Sequence, residues 1–384
     1  MCLHISRHND IPFQGECARL VYTILMKILI APLIVTEKAD ASYYLTCSMA
    51  DLFVQEGHAV AVSASEGNQF HGVSLYPCGL LKKPMFTSHA KVRSYEEWMY
   101  ARGAISRDYI IDDIEALLEA IDQFTPDLII TMDRVAAVAA ARLRNVRCWA
   151  VVNNAMYKNM SFPSSIMQGL NQALSYFRLE QEFTLRSVYA RCERRISFGI
   201  TLTQPFTKEQ DVTRIGIASI MPAKVPRTNR LLISLNDVKL TSRTLYRAID
   251  DSFLGAPYAV YAWYKGCKPQ KEKNIQYMSS PKLDLLPGSI AVIHDGNDYI
   301  FHQALAMGIP QMIITGHEYL RSYNAQTAQR QEFGVLLYEE NLSMSSLYET
   351  YRKLMSNDRY YDTTQWLMEK YRKEGDLNKL LEYL

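Results

Sequence analysis

The sequence predicts an α/β protein built from two doubly wound parallel-sheet domains. Three observations predict it. Two series of short apolar runs alternate with segments of helical periodicity, one from Lys27 to Val152 and one from Arg230 onward. Between them the composition shifts at Met221-Pro-Ala-Lys-Val-Pro-Arg-Thr-Asn229, a stretch of linker character. The length of 384 residues suits two domains or one large one. The division read from these features is an extension over 1–25, a first domain over 26–216, a linker over 217–229 and a second domain over 230–384.

Residues 1–25 mix His, Pro, Gly and charges without periodicity. Leu20 to Val35 is apolar but carries Lys27 and Pro32, too short and too interrupted for a bilayer span. A signal peptide is the second reading of this end, although its charged region would be unusually long. Met26 leads directly into an apolar run, Lys27 to Val35, which reads as the first buried strand. Ser42 to Glu56 follows, with Leu45, Met49, Leu52 and Phe53 at helical spacing and Gly57 to close it. Ala59 to Ser63 reads as a strand. His58, at the turn before it, reads as structural. Tyr109 to Phe124 carries Ile110, Ile114, Leu117 and Ile121 on one helical stripe. Thr125 to Asp133 then reads as a strand with Asp133 just past its end, and the Ala-rich run Val135 to Leu143 as a helix. Cys148 to Val152 is another strand. Met156 to Arg195 reads as amphipathic helix, and Ile196 to Lys224 as an aperiodic connector.

The second series opens with Arg230 to Asn236, a buried strand ending in a small polar turn. Leu240 to Phe253 is helix-like, and Tyr258 to Trp263 and Lys273 to Met278 read as strands. The centre of the domain is Ser289 to Pro310. Ile290 to Ile293 is a continuous apolar run, as in a strand buried on both faces. Gly296 and Asn297 break it. Tyr299 to Met307 then forms a helix with Asp298 as its N-cap, stopped by Gly308 and Pro310. A loop of small residues at a strand's C-terminal end, followed by a helix N-terminus, makes a crevice where a phosphate can sit. Gln311 to Thr315 is the next strand. Ser343 to Leu384 is helical and strongly charged.

Composition narrows the function classes. The chain is 48% hydrophobic and 21% charged, with a net charge of +2, so bulk electrostatics give no pointer to nucleic acid. Seven cysteines are scattered without a Cys-x-x-Cys pair, which argues against zinc and against a disulfide framework. A reducing cytoplasm is the simpler compartment.

The order of the central unit, with Gln303-Ala-Leu-Ala-Met-Gly-Ile-Pro310, Tyr323-Asn-Ala325 and Glu332-Phe-Gly-Val335 around it, resembles the nucleotide-sugar-binding half of GT-B glycosyltransferases. The closest likeness is to the glucuronosyl- and macrolide-glycosyltransferase type, and it extends from Met26 to the C-terminus. Gly57-His58 and the Pro-Asp strand ending at Asp133 resemble the acceptor half, and Leu354 to Tyr360 resembles the family's break between its last two helices. The resemblance implies a GT-B pair of Rossmann-like domains. It also implies a nucleotide-diphosphate sugar as co-substrate, a small-molecule or lipid acceptor, no metal and no nucleic-acid partner.

The resemblance also implies the site residues. The phosphate loop His-Gly-Gly falls on Asp295-Gly296-Asn297, with a one-residue shift placing His294 in the role. The ribose-binding Glu falls on Gln303, and a second phosphate-facing turn begins at Asn236. The catalytic His falls on Ser42, a poor general base at neutral pH. Asp133 stands where the base-orienting Asp is expected, as a direct base or as a helix cap. Two readings follow: a divergent glycosyltransferase, or a catalytically degenerate binding or partner subunit.

Overall fold

The computed structural model describes residues 25–33, 41–65, 70, 72–78, 92–158, 161–219, 226–316 and 318–384. Most of the 1–25 extension, the middle of the 217–229 linker and His317 lie outside the described residues.

In the first half, strands β1 (Lys27–Pro32), β2 (Ala59–Ser65), β3 (Ser74–Cys78), β4 (Leu128–Met132), β5 (Arg147–Val151), β6 (Arg194–Phe198) and β7 (Val212–Ile215) form one sheet in the order β3-β2-β1-β4-β5-β6-β7. Every neighbouring pair in it is parallel. The helices are α1 (Ala41–Gln55), α2 (Tyr95–Ala101), α3 (Arg107–Phe124), α4 (Val135–Arg144), α5 (Gln168–Tyr176) and α6 (Leu185–Tyr189). Alternate strand residues face opposite layers, as period-two geometry requires. Leu29, Ile129 and Ala150 pack with Ile114, Leu117 and the alanines of α4, whereas Ile28, Ile30 and Leu128 pack with Met49 and Phe53 of α1.

In the second half, β8 (Arg230–Leu235), β9 (Ala259–Tyr264), β10 (Gln270–Glu272), β11 (Ile275–Tyr277), β12 (Ala291–His294), β13 (Gln311–Thr315) and β14 (Gly334–Tyr338) form a sheet in the order β10-β11-β9-β8-β12-β13-β14. Only the β10–β11 hairpin is antiparallel. Its helices are α7 (Ser242–Phe253), α8 (Asp298–Ala306), α9 (Tyr319–Arg330), α10 (Met344–Ser356) and α11 (Asp358–Glu374). One face of the sheet packs on α7 and α10, the other on α8, α9 and α11.

The structure departs from the sequence reading at four places. Met156 to Arg195 is not one amphipathic helical region: α5 ends at Tyr176, and Arg178 in a left-handed conformation (φ 58°) turns the chain before the short α6. The stretch read as a connector holds β6 and β7, strands of five and four residues, too short to show a period. The N-cap of α8 is Asn297 rather than Asp298. Its side-chain oxygen accepts from the Tyr299 and Ile300 amides at 3.0 and 3.2 Å. The break near Leu354 is sharper than its sequence suggests, since Asn357 alone separates α10 from α11.

After α11 the chain returns to the first half. Leu377 and Leu380, in the 3-10 helix Leu377–Tyr383, are buried among Ile28, Ile30, Leu128 and Trp149. The Leu377 amide donates to Ser219 O at 3.2 Å.

Candidate functional site

The two sheets direct their strand C-terminal ends, and the loops that follow, into one cleft. Ser42, Trp98, Arg102 and Asp133 line it from the first half; Gly296, Asn297, Asp298, Glu318 and Arg321 line it from the second. Parallel sheets place their ligand sites at such ends because loops and helix N-termini collect there.

Asp133 follows β4 directly, in a left-handed conformation (φ 55°) that Asp tolerates better than most residues. Its carboxylate accepts from the Tyr95 phenol at 2.7 Å, and the Tyr95 and Tyr189 hydroxyls lie 3.3 Å apart. Burial, with the Asp133 charge adding to it, pushes both phenols well above their ordinary pKa, so they remain protonated. The next residue fixes the turn. Arg134 is buried and forks onto Asp113 (Nε–Oδ2 2.9 Å, Nη2–Oδ1 2.6 Å), while its Nη1 donates to Ser63 O at 2.6 Å. Bidentate geometry of this kind is the strong form of a charged pair. The N-cap position of α4 falls on Arg134, and Asp133 precedes it.

On the other wall, β8 and β12 are neighbours, and the chain winds outward from them in both directions. This is the switch point of a doubly wound sheet. Asp295, just past β12, reaches across it. Its Oδ2 accepts from the Asn236 and Asp237 amides at 2.9 and 2.8 Å, and its Oδ1 from the Asn297 amide at 3.2 Å. The Arg321 guanidinium closes on the same Oδ2. Gly296 has φ 86°, and a Cβ there would lie 2.8 Å from Arg321 O, so the turn requires glycine on both counts. His294 is buried: its Nε2 is 2.7 Å from Gln311 Oε1, and its Nδ1 accepts from the Gly296 amide at 3.2 Å. Burial lowers its pKa to about 4.

Contacts between the halves close the cleft's edges. The Tyr44 and Tyr299 rings stack at 5.3 Å, and the hydroxyls of Ser48 and Tyr299 lie 3.2 Å apart. Tyr319 donates to Ala155 O and Tyr323 to Asn154 Oδ1, both at 3.0 Å. Glu318 faces Arg102 at 3.6 Å and accepts from the Arg321 amide at 2.7 Å, capping α9. Burial raises the Glu318 carboxyl above its usual value, with Arg102 and Arg321 pulling against that rise. Asp298 is held below the usual carboxylate value: burial opposes ionisation, and His302 and Asn324 outweigh it. His302 in turn has its Nδ1 2.6 Å from the Tyr371 hydroxyl.

Of the residues selected from the sequence, Ser42, Asp133, Gly296 and Asn297 lie in the cleft lining. Asn236, His294, Asp295 and Gln303 do not. Asn236 meets Asp295 through its backbone, and His294 is consumed by Gln311 and Gly296. The Gln303 side-chain oxygen accepts from Ser219 at 3.0 Å, behind the helix. Tyr95, Asn324 and His302 were missed, since an isolated Tyr, Asn or His has no local pattern. Glu318 and Arg321 carry no local signal either: Glu318 caps α9 by accepting from the Arg321 amide, but Glu is not among the residue types that mark an N-cap in sequence.

Comparisons with known proteins add to this geometry. The structure superposes on the calicheamicin glycosyltransferase CalG4 with a TM-score of 0.71 at 16% identity, covering 94% of this chain and 97% of that one. The chain has the GT-B glycosyltransferase fold. The spinosyn rhamnosyltransferase SpnG complexed with thymidine diphosphate gives a TM-score of 0.69 at 14% identity, over 93% of this chain and 99% of that one. SnogD from Streptomyces nogalater gives 0.63 at 14%, over 94% and 99%. Residues 272–374 match the family described as Erythromycin biosynthesis protein CIII-like, C-terminal domain. No curated protein matches the chain. Among the described residues no helix is long and apolar enough to cross a membrane, and no group of three or more His, Cys, Asp or Glu is placed to hold a metal ion.

Proposed function

We propose that the chain is a glycosyltransferase that moves a sugar from a nucleoside-diphosphate sugar to a hydroxyl of a small-molecule acceptor. The observation that carries this reading is the Asp133 carboxylate, held by Tyr95 at a GT-B interdomain cleft opposite the Gly296–Asn297 turn. Asp133 takes the acceptor's hydroxyl proton. The oxygen so activated forms a bond to the anomeric carbon, and the bond from that carbon to the diphosphate breaks. The leaving diphosphate is received near the β8–β12 switch point, beside Arg321 and the positive end of α8. Ser42 lies in the cleft as a hydroxyl contact rather than a base.

Leu33, Leu45, Trp98, Met132 and Met156 line the first-domain side, which favours an acceptor with an apolar body. We assign the acceptor half to residues 26–216 and the donor half to 230–384, joined over 217–229. The cytoplasm is the proposed compartment, supported by the cysteines among the described residues being free thiols.

The test is a panel of dTDP-, UDP- and GDP-sugars, read by thermal shift and by release of the nucleoside diphosphate. Saturable stabilisation with slow donor hydrolysis supports the reading. Stabilisation without turnover, with every donor and a range of apolar alcohols, would overturn it in favour of a binding subunit.

A further inference from the structure

The anion seat of the second domain is already filled, and by the chain itself. At the switch point the amides of Asn236 and Asp237, from the turn after β8, converge with the amide of Asn297, from the turn after β12. Backbone N–H groups collected in this way form a concavity that suits an anion. The Asp295 carboxylate lies in it, 1% exposed, and the Arg321 guanidinium is locked onto the same oxygen that accepts from Asn236 and Asp237. Three further amides here are engaged: that of Gly296 on His294, and those of Tyr299 and Ile300 on the Asn297 side chain. Arg321 is the cation nearest this seat that also faces the open cleft, and a second carboxylate, Asp237, stands 3.5 Å from its Nε.

We propose that Asp295 is an internal competitor for the donor's diphosphate, and that Arg321 is the residue it withholds. A diphosphate brings the same chemistry as the carboxylate, anionic oxygens seeking N–H donors and a guanidinium, with more charge and more acceptor atoms. To enter, it must take Arg321 from Asp295, because the guanidinium already faces two carboxylates, Asp295 and Asp237, and both repel a further anion. The seat therefore binds diphosphate weakly until Asp295 turns aside, and donor binding and rearrangement of the 295–297 turn are one event. This inference rests on the donor being a nucleoside-diphosphate sugar.

The experiment uses the full chain, with inorganic pyrophosphate and dTDP as probes and titration calorimetry as readout. Asp295→Asn keeps one oxygen for the Asn236 and Asp237 amides, gives up the Asn297 contact and removes the charge that holds Arg321. It should tighten pyrophosphate and dTDP by about tenfold or more, on the scale of one charge-assisted hydrogen bond. Arg321→Gln should weaken dTDP in the wild-type background and abolish the gain in the Asp295→Asn background. A folded Asp295→Asn protein that binds pyrophosphate no more tightly overturns the proposal. If that variant does not fold, unchanged dTDP affinity in Arg321→Gln overturns it alone. Donor hydrolysis measured on the same samples separates the two layers. Tightening without turnover leaves the internal competitor standing and removes the glycosyltransferase reading; turnover without tightening does the reverse.

Discussion

His294 makes the stability of the second domain depend on pH in a defined direction. Its ring is fully buried, with Gln311 at Nε2 and the Gly296 amide at Nδ1. The Gln311 amide is itself oriented by donating to Phe301 O at 3.1 Å. That arrangement needs a neutral ring with its proton on Nε2, because a proton on Nδ1 would face the Gly296 N–H. Burial lowers the pKa from 6.5 to about 4. Asp295 and Gln311 oppose the shift, and Arg321 adds to it. The unfolded chain takes up the proton near pH 6.5 and the folded chain only near 4, so between those values the unfolded state binds more protons. Stability attached to His294 is therefore complete above pH 6.5 and falls as pH drops, by roughly 3 kcal/mol once pH is below 4. At pH 4.5 the loss is about 2.5 kcal/mol. Urea denaturation of wild type and His294→Gln at pH 7 and pH 4.5 isolates it, because other titrating groups are common to both proteins. The wild-type advantage should shrink by about 2.5 kcal/mol between the two pH values. Denaturation differences that are equal at both would refute the argument.

Three further outcomes are expected. Asp133→Asn should lower kcat by about 100-fold to 10,000-fold while leaving nucleotide affinity within a factor of about two, checked by single-turnover kinetics and calorimetry. Asp113→Asn leaves Arg134 buried and half-paired, and should cost about 3–5 kcal/mol in denaturant titration; a loss under about 1 kcal/mol would count against the pair as a fixed anchor of the Asp133 turn. Leu380→Ala removes a fully buried side chain and should cost about 2–5 kcal/mol. Its amide-exchange signature should appear in β1 and β4, far from residue 380 in sequence.

The two parallel sheets were legible because their strands are buried on both faces, and such strands appear as unbroken apolar runs: Ile28 to Ala31, Leu128 to Ile130, Ala291 to Ile293. The short strands β6 and β7 were not, since Arg194-Arg-Ile-Ser-Phe198 is half polar and takes its conformation from its neighbours in the sheet. At the site, sequence position located the turns at Asp133 and Gly296 but not what the side chains do there. Asp295 stands where a phosphate contact was expected and instead satisfies amides from another strand's turn. Nothing local to residues 290–300 specifies that partner. Tyr95 and Asp133 are 38 residues apart in the chain and meet only after α2 has packed.

The return of the chain after α11 has a consequence for how the molecule is made. Leu377 and Leu380 complete a core whose other members come mainly from α1 and from β1, β2, β4, β5, β6 and β7. A ribosome releases that first half long before residues 377–380 exist, and domains ordinarily fold as they emerge. Here the first half must wait with an apolar groove uncovered while the whole second half is synthesised and folds. The interval lasts roughly ten to thirty seconds at ordinary elongation rates. During it the groove is open to chaperones and to other nascent chains, and arrival of the tail, rather than closure of either sheet, ends the vulnerable period.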